Sequence, residues 1–261
     1  VDFLVENDIN YIVVQGTTGE SSTMSNDEKI ISRKAFVEAN NNRVPLVLGL
    51  GSNDTRSLLN EIKESDFLGY SAILSVTPYY NRPTMEGLYK HYSLIAQSST
   101  IPIILYNVPS RTGCNILPET TIRLANEFKN IIGIKEAAGD IAQAMSLIAM
   151  CPKNFLVISG DDMITLAIVL AGGAGVISVI GEGFPKEFSE MVRLGLNKNV
   201  KDAYKIHYKL APAIAYIFEE GNPAGIKGVF KSLGICGNAV RLPLVSISAT
   251  LQTKIASFIS N

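Results

Sequence analysis

The chain has 261 residues, of which 47% are hydrophobic and 18% are charged. This balance predicts one large or two small folded domains and excludes intrinsic disorder as the main state. The formal net charge of −1 provides no basic field, so neither nucleic-acid binding nor a polybasic membrane anchor is expected. The three scattered cysteines form neither a disulfide framework nor a zinc motif, and they predict free thiols in a reducing, cytoplasmic compartment.

Short apolar stretches rich in Val and Ile recur along the chain, which is typical of parallel strands buried on both faces. They predict seven strands, at residues 10–15, 44–50, 70–76, 101–106, 131–135, 155–159 and 175–180. Amphipathic segments separate these strands, and their starts are marked by a capping box at 25–28, by caps at Asn53 and Thr84, and by Pro118 and Pro185. This alternation predicts an α/β architecture. After residue 196, helices are predicted at 201–219, 223–233 and 244–259.

The uncharged segment 163–181 is long enough to span a bilayer. Its internal Gly-Gly pair favours a helix, a tight turn and a buried strand instead. The two histidines, His91 and His207, lie in helix-like segments beside tyrosines, where we expect surface or boundary positions. A mechanism based on histidine is therefore not favoured.

Two α/β architectures compete for this pattern. A doubly wound sheet places G-x-G-x-x-G after its first strand, whereas the first predicted strand is followed by GTTGE (16–20). In a (β/α)₈ TIM barrel, polar residues gather after every strand because the active site forms at the carboxyl ends, and such residues follow each predicted strand here. We therefore expect a barrel over residues 1–219 and a C-terminal helical extension over 220–261. Since the chain begins inside a predicted helix, the first of the eight barrel strands is expected to be missing.

Two residues at predicted strand ends carry the clearest chemical signal. Lys135 ends an interior strand, where burial disfavours the charged amine, and a neutral amine can attack a ketone to form a Schiff base. A lysine that reaches solvent, or one paired with Glu136, fits the position equally well. Tyr106 ends the preceding strand and is placed for general acid–base chemistry, although a core tyrosine with a bonded hydroxyl is the commoner case.

Further candidates lie in the predicted loops at the same ends. Thr17 and Thr18 lie in a glycine-flanked turn, where hydroxyl and backbone N–H groups can hold a carboxylate. Arg111 follows a Val-Pro-Ser turn and carries a guanidinium suited to a second carboxylate. A plain turn and a solvated arginine are the respective alternatives.

Several ungapped motifs now reveal a resemblance that runs in order along essentially the whole chain. They are GTTGE (16–20), TPYYN (77–81), YNVPSRTG (106–113), IGIKE (132–136) and SGDD (159–162). Together they resemble the pyruvate-dependent class I aldolases, the family of the dihydrodipicolinate synthases and N-acetylneuraminate lyase.

The resemblance implies a role for each matching residue. Lys135 matches the Schiff-base lysine and Tyr106 the proton-relay tyrosine. Thr17 matches the threonine that links this tyrosine to a second one, and Tyr80 matches that second tyrosine, which a neighbouring subunit supplies. The pyruvate-carboxylate contacts correspond to Thr18 and the backbone of Ile177, with Gly160 near the same pocket, and Arg111 corresponds to the arginine at the site mouth.

The Ser110-Arg111-Thr112 turn favours the synthase branch of the family. That branch condenses pyruvate with L-aspartate 4-semialdehyde in lysine and diaminopimelate biosynthesis, and the resemblance implies no metal or organic cofactor. A lyase acting on a sugar-derived 2-oxo acid is the alternative, and a non-catalytic homologue is a further one.

The resemblance also bears on assembly and regulation. Members of the family are usually homotetramers built as dimers of dimers, and Tyr80 needs such a neighbour. Members inhibited by lysine carry histidine or glutamate at the positions of Asn26, Lys29 and Ser57. These replacements predict weak or absent inhibition by lysine.

Overall fold

Within residues 1–260, which the structure describes, the computed structural model contains seven β-strands and thirteen α-helices. The strands are β1 (Ile12–Val14), β2 (Leu46–Gly49), β3 (Ala72–Val76), β4 (Ile103–Asn107), β5 (Ile131–Glu136), β6 (Leu156–Ser159) and β7 (Gly175–Val176). The helices are α1 (Asp2–Val5), α2 (Asn26–Asn40), α3 (Thr55–Glu64), α4 (Met85–Ser98), α5 (Pro109–Thr112), α6 (Pro118–Glu127), α7 (Ile141–Met150), α8 (Thr165–Ala171), α9 (Ile180–Gly183), α10 (Pro185–Leu196), α11 (Val200–Glu219), α12 (Ala224–Ser232) and α13 (Ala249–Ser260).

One compact unit, termed the sheet unit, comprises Tyr11–Val14 and Asn42–Ile177 and contains every strand. The strands form a single parallel sheet in the order β1 to β7, so each strand pairs with the next one along the chain. A doubly wound sheet would reverse its strand order at a switch point. The uninterrupted order is instead that of a (β/α) barrel, which confirms the predicted choice between the two architectures.

The sheet is curled. The hydroxyl of Tyr11, one residue before β1, donates a hydrogen bond of 2.8 Å to the carbonyl of Val176 in β7, so the first and last strands approach each other. Apolar side chains from successive strands and the residues that follow them pack together in one cluster. Its buried members are Val47, Ala72, Leu74, Ile104, Tyr106, Val108, Ile158 and Ile177.

The seventh strand is shorter than the sequence predicts. The expected strand 175–180 ends at Val176, and a helical turn, α9, already begins at Ile180. The hydroxyl of Ser178 accepts a hydrogen bond of 2.8 Å from the N–H of Gly181. This local side-chain bond offers the backbone an alternative to the strand ladder, which explains the early end.

Most predicted helix starts are confirmed. Ser25 forms the expected capping box with Glu28, Thr84 caps α4, and α6 and α10 begin at Pro118 and Pro185. The prediction for Asn53 was wrong.

The cap of α3 is Asp54, whose carboxylate accepts from the N–H of Arg56 at 3.0 Å. Helix α13 begins at Ala249 rather than at 244, because Ser248 supplies its N-terminal bond to Leu251 at 3.2 Å. Both differences place a short polar side chain where the first free N–H groups of the helix need an acceptor.

The second compact unit, termed the helical unit, comprises Val1–Asn10, Gln15–Asn41 and the chain from Ser178 onward. Its buried apolar residues lie mainly on α10, α11, α12 and α13. Gly225 allows α11 and α12 to approach closely, since a Cβ atom at this position would lie 1.9 Å from the carbonyl oxygen of Ile217. This unit also holds the GTTGE turn at 16–20.

The two histidines are buried, at 4% and 8% exposure, and the expectation of surface or boundary positions was wrong. His91 packs edge-on against Tyr92 and its Nδ1 lies 2.8 Å from the hydroxyl of Thr55. His207 packs edge-on against Tyr204. Desolvation lowers both pKa values, that of His91 to about 4, so neutral rings fill these sites.

The uncharged segment 163–181 forms α8, a turn at Gly172 with φ of 118° and β7 before entering α9, as expected apart from the length of the strand. None of the helices within residues 1–260 combines the length and the apolar character needed to span a bilayer.

Candidate active site

Lys135 and Tyr106 lie side by side at the carboxyl ends of β5 and β4. They are opposite each other in the strand register, and the lysine Nζ lies 4.5 Å from the centroid of the tyrosine ring. Both side chains are buried, at 9% and 7% exposure. The sequence placed an amine and a phenol on neighbouring strands, and the structure brings them into contact.

Gly160, which follows β6, makes room for the lysine. A Cβ atom at this position would lie 2.9 Å from Cε of Lys135 and 2.7 Å from the Cβ of Ala137. The backbone N–H of Gly160 also donates to the carbonyl of Glu136 at 2.7 Å. The absence of a side chain at Gly160 therefore allows β6 to lie against the stem of Lys135.

Glu136 does not hold Lys135 by the pairing considered from the sequence. Consecutive strand residues point to opposite faces, and the Glu136 carboxylate accepts hydrogen bonds from Asn107 at 3.0 and 3.1 Å, from Gln143 at 3.0 Å and from the N–H of Ala138 at 2.8 Å. Burial raises the pKa of Glu136, and the bonds from Asn107 and Gln143 oppose that effect. Amide donors thus satisfy this buried carboxylate.

The same amide network extends to the loop that carries Arg111. Asn107 donates to Asn115 at 2.7 Å and accepts from the N–H of Ile116 at 3.1 Å. A second hydrogen bond fixes the same loop: the hydroxyl of Thr77, which follows β3, donates to the hydroxyl of Thr112 at 3.3 Å. Arg111 itself is exposed on the short helix α5.

Tyr80 is a solvent-exposed residue of the sheet unit with an unusual backbone conformation. Its side chain is 89% exposed, and its backbone has φ of 70°, in the left-handed region. A bulky residue other than glycine rarely adopts this conformation, and such strain is typically kept where function requires it. The structure therefore places the side chain of Tyr80 on the surface of its own chain.

The remaining candidates occupy different parts of the molecule. Ile177 is buried in the same apolar cluster as Tyr106, and its N–H donates to the carbonyl of Ser159 at 2.9 Å. Thr17 and Thr18 belong to the helical unit, in a turn closed by a bond of 3.1 Å from the N–H of Gly19 to the carbonyl of Gly16. Thr17 is exposed and Thr18 is half-buried.

Sequence reasoning missed the polar residues that support these groups. Asn107 and Gln143 surround Glu136, and Asn222 donates to the hydroxyl of Thr18 at 2.9 Å. Asn107 had a detectable signal, because it follows Tyr106 directly at a strand end. Asn222 had none, since it is 204 positions from Thr18 in the sequence.

These features define a class of protein. A buried lysine amine beside a phenol, at the carboxyl ends of neighbouring parallel strands, is the arrangement of a (β/α)-barrel enzyme that bonds covalently to a carbonyl substrate.

Comparison with known proteins gives the particular family. The sequence profile of the dihydrodipicolinate synthetase family matches residues 1–261, and the chain belongs to this family. A protein named 4-hydroxy-tetrahydrodipicolinate synthase from Flavobacterium psychrophilum is 59% identical over 258 residues, which cover 99% of this chain and 88% of that protein. The chain is thus a lyase of this family, related to synthases of lysine and diaminopimelate biosynthesis, and the sugar-acid lyase alternative is not supported.

Solved structures agree with this assignment. A dihydrodipicolinate synthase from Acinetobacter baumannii in complex with pyruvate superposes with a TM-score of 0.95 at 37% identity, covering 99% of this chain and 89% of that one. A structure described as the first monomeric dihydrodipicolinate synthase variant has a TM-score of 0.96 at 38% identity, with 99% and 87% coverage. The family barrel is therefore the fold to which the seven strands belong.

Proposed function

We propose that Lys135 forms a Schiff base with pyruvate and that the enzyme then joins pyruvate to L-aspartate 4-semialdehyde in the cytoplasm. The observation that carries this proposal is the buried Lys135 amine, 4.5 Å from the ring centroid of Tyr106. An amine nucleophile with an adjacent acid–base group is the minimum that imine formation requires.

The first half of the reaction activates pyruvate. The neutral amine of Lys135 adds to the ketone carbon, and the resulting carbinolamine loses water to give an iminium ion. Tyr106 relays the protons that these steps consume and release. The positive iminium nitrogen withdraws electrons, so a methyl proton of pyruvate is lost and an enamine forms.

The second half builds and releases the product. The enamine carbon attacks the aldehyde of L-aspartate 4-semialdehyde, forming the carbon–carbon bond and regenerating the imine. The amino group of the second substrate then adds to the imine carbon, which closes the ring. The carbon–nitrogen bond to Lys135 breaks, and 4-hydroxy-tetrahydrodipicolinate leaves with the lysine free again.

Both substrates carry carboxylates, and the proposal assigns a holder to each. Thr18 and the backbone of Ile177 hold that of pyruvate, and Arg111 holds that of the semialdehyde. An exposed arginine on a loop tied down through Asn107 and Thr112 suits this task, because its planar fork matches a carboxylate. Thr17 links Tyr106 to Tyr80 in proton transfer.

The proposal includes a homotetramer built as a dimer of dimers. Tyr80 supports it, since an 89% exposed tyrosine with a left-handed backbone suits insertion into a neighbouring copy. One structural relative is described as a monomeric variant, so assembly is tested separately from catalysis.

Reductive trapping tests the central step. Borohydride added with pyruvate should reduce the imine, and mass spectrometry of peptides should find one reduced pyruvyl group on Lys135. Lys135→Arg keeps a long basic side chain at this position but cannot form the imine, so it should gain no mass. Trapping on another lysine, or none on the native enzyme, would overturn the proposal.

A substrate assay then tests the second step. Native enzyme that has not been treated with borohydride should consume L-aspartate 4-semialdehyde together with pyruvate and should leave N-acetylneuraminate intact. Cleavage of the sugar acid without consumption of the semialdehyde would contradict the assignment of the second substrate.

A further inference from the structure

Asn222 touches the turn that carries Thr18. Its Nδ2 donates a hydrogen bond of 2.9 Å to the Thr18 hydroxyl oxygen, and the asparagine is buried, at 7% exposure. It lies between α11 and α12, within the predicted C-terminal extension, and both residues belong to the helical unit. A contact between residues 204 positions apart thus fixes one hydroxyl in the GTTGE turn.

The direction of this hydrogen bond has a chemical consequence. A threonine hydroxyl has one proton to donate and oxygen lone pairs that accept. Because the amide N–H of Asn222 occupies an acceptor position, the Thr18 proton must point elsewhere. The contact therefore presets the hydroxyl as a donor, which is what a carboxylate needs.

The same turn is held at a second point by the same part of the chain. Glu20 pairs with Lys227 on α12 and accepts from the N–H of Arg241 at 3.0 Å. Lys227 also donates to the carbonyl of Ala239 at 2.7 Å. Residues beyond α11 thus hold the turn through both Thr18 and Glu20. The backbone of Glu20 lies in the left-handed region, with φ of 53°.

We propose that Asn222 is a positioning residue for pyruvate, because it orients the Thr18 hydroxyl to donate to the pyruvate carboxylate. This inference rests on the proposed function, which assigns that carboxylate to Thr18. Asn222 touches neither reacting atom, so its effect should fall on the KM for pyruvate far more than on kcat. The C-terminal extension thereby takes part in substrate binding.

Asn222→Asp tests the orientation directly. The aspartate would accept the Thr18 proton instead of donating to its oxygen, so the hydroxyl would turn away from the substrate. We expect the KM for pyruvate to rise about 10- to 100-fold, the range expected for losing a hydrogen bond to a charged group. A KM within twofold of the native value would overturn the inference. An aspartate carboxylate can only accept a hydrogen bond from Thr18, so an unchanged KM would mean that donation from the side chain at position 222 does not orient this hydroxyl.

A double-mutant cycle with Thr18→Val separates orientation from charge and from misfolding. Asn222→Ala should raise the KM several-fold in the native background and leave it unchanged in Thr18→Val. An equal effect in both backgrounds would mean that Asn222 does not act through Thr18, and the inference would fail. This arm also decides the matter if Asn222→Asp does not fold.

Two controls separate this inference from the proposed function. Asn238→Asp makes the same chemical change at a half-buried asparagine in the same extension, and its KM should stay native. Borohydride trapping reports pyruvate binding directly. If the native enzyme traps no pyruvate, the proposed function fails; if it traps pyruvate and Asn222→Asp does so at native half-saturation, only the role of Asn222 fails.

Discussion

Gly160 shows at the scale of one residue why the environment of Lys135 is demanding. The position has no side chain, and a methyl group there would lie within 2.9 Å of the lysine stem. We expect Gly160→Ala to displace the amine from Tyr106 and to lower kcat about tenfold or more. Overpacking of this kind costs about 1–3 kcal/mol, so the protein should remain folded at room temperature.

Steady-state kinetics and thermal unfolding measured together test this prediction. Gly237→Ala is the matched control, because a Cβ atom there would meet no heavy atom within 4 Å. The control should change neither kcat nor the unfolding temperature appreciably. If Gly160→Ala retained native kcat, the close packing of β6 against the lysine would have no catalytic importance.

At the scale of the strand and helix, the sequence predicted element types well and some boundaries poorly. The interior strands were predictable because runs of Val and Ile with little polar alternation fit a sheet covered on both faces. The end of β7 and the start of α13 were not predictable, since the hydroxyls of Ser178 and Ser248 determine these two boundaries. Such local bonds are small in energy but sufficient to shift a boundary by several residues.

The candidate site shows the same division. Lys135 and Tyr106 were predictable because each ends a predicted strand, and parallel strands bring their carboxyl ends to the same edge. The hydrogen bond from Asn222 to Thr18 could not be predicted, because no local sequence pattern links the two residues. The burial of His91 was also missed, because a helix-like segment with a neighbouring tyrosine predicts a surface position, whereas the ring is buried and desolvation keeps it neutral.

The burial of His91 on α4 predicts a pH dependence of stability. Desolvation lowers its pKa from 6.5 to about 4, so the folded state binds fewer protons than the unfolded state between these values. The stability that the protein has with a neutral His91 is therefore fully present above pH 6.5 and is lost as the pH falls toward about 4. The free energy of unfolding decreases by about 3 kcal/mol across this window because of this one group.

His91→Gln tests this prediction, because an amide retains hydrogen-bonding capacity toward Thr55 but does not titrate. Denaturant unfolding at several pH values should show that the native protein loses more stability on acidification than the variant does. Titrating groups common to both proteins cancel in this difference. Parallel curves for the two proteins would show that His91 does not titrate in this window.

For the whole molecule, the first prediction concerns regulation. The resemblance implies that lysine-inhibited members carry histidine or glutamate at the positions where this chain has Asn26, Lys29 and Ser57. The Ser57 hydroxyl donates to Asp54 at 2.5 Å, and Lys29 adds a charge that repels the amines of lysine. We expect at most weak inhibition in an assay with increasing lysine, and half-inhibition at a sub-millimolar concentration would contradict this expectation.

Assembly gives the last prediction, because Tyr80 is proposed to act in a neighbouring copy. Tyr80→Phe should then lower kcat strongly with little change in unfolding temperature, since an 89% exposed side chain contributes little to the fold of its own chain. Sedimentation analysis should find a tetramer for both the native protein and the variant. A fully active monomer would contradict the role of Tyr80.

Mixed oligomers distinguish action in the neighbour from action within one chain. Lys135→Ala chains retain Tyr80, and Tyr80→Phe chains retain Lys135, so each variant alone should be nearly inactive. When both are co-expressed, a site with an intact Lys135 can receive Tyr80 from the other chain, and activity should return in hybrids purified with two different tags. If Tyr80 acted within its own chain, no hybrid would contain a complete site, and activity would not exceed that of the separate variants.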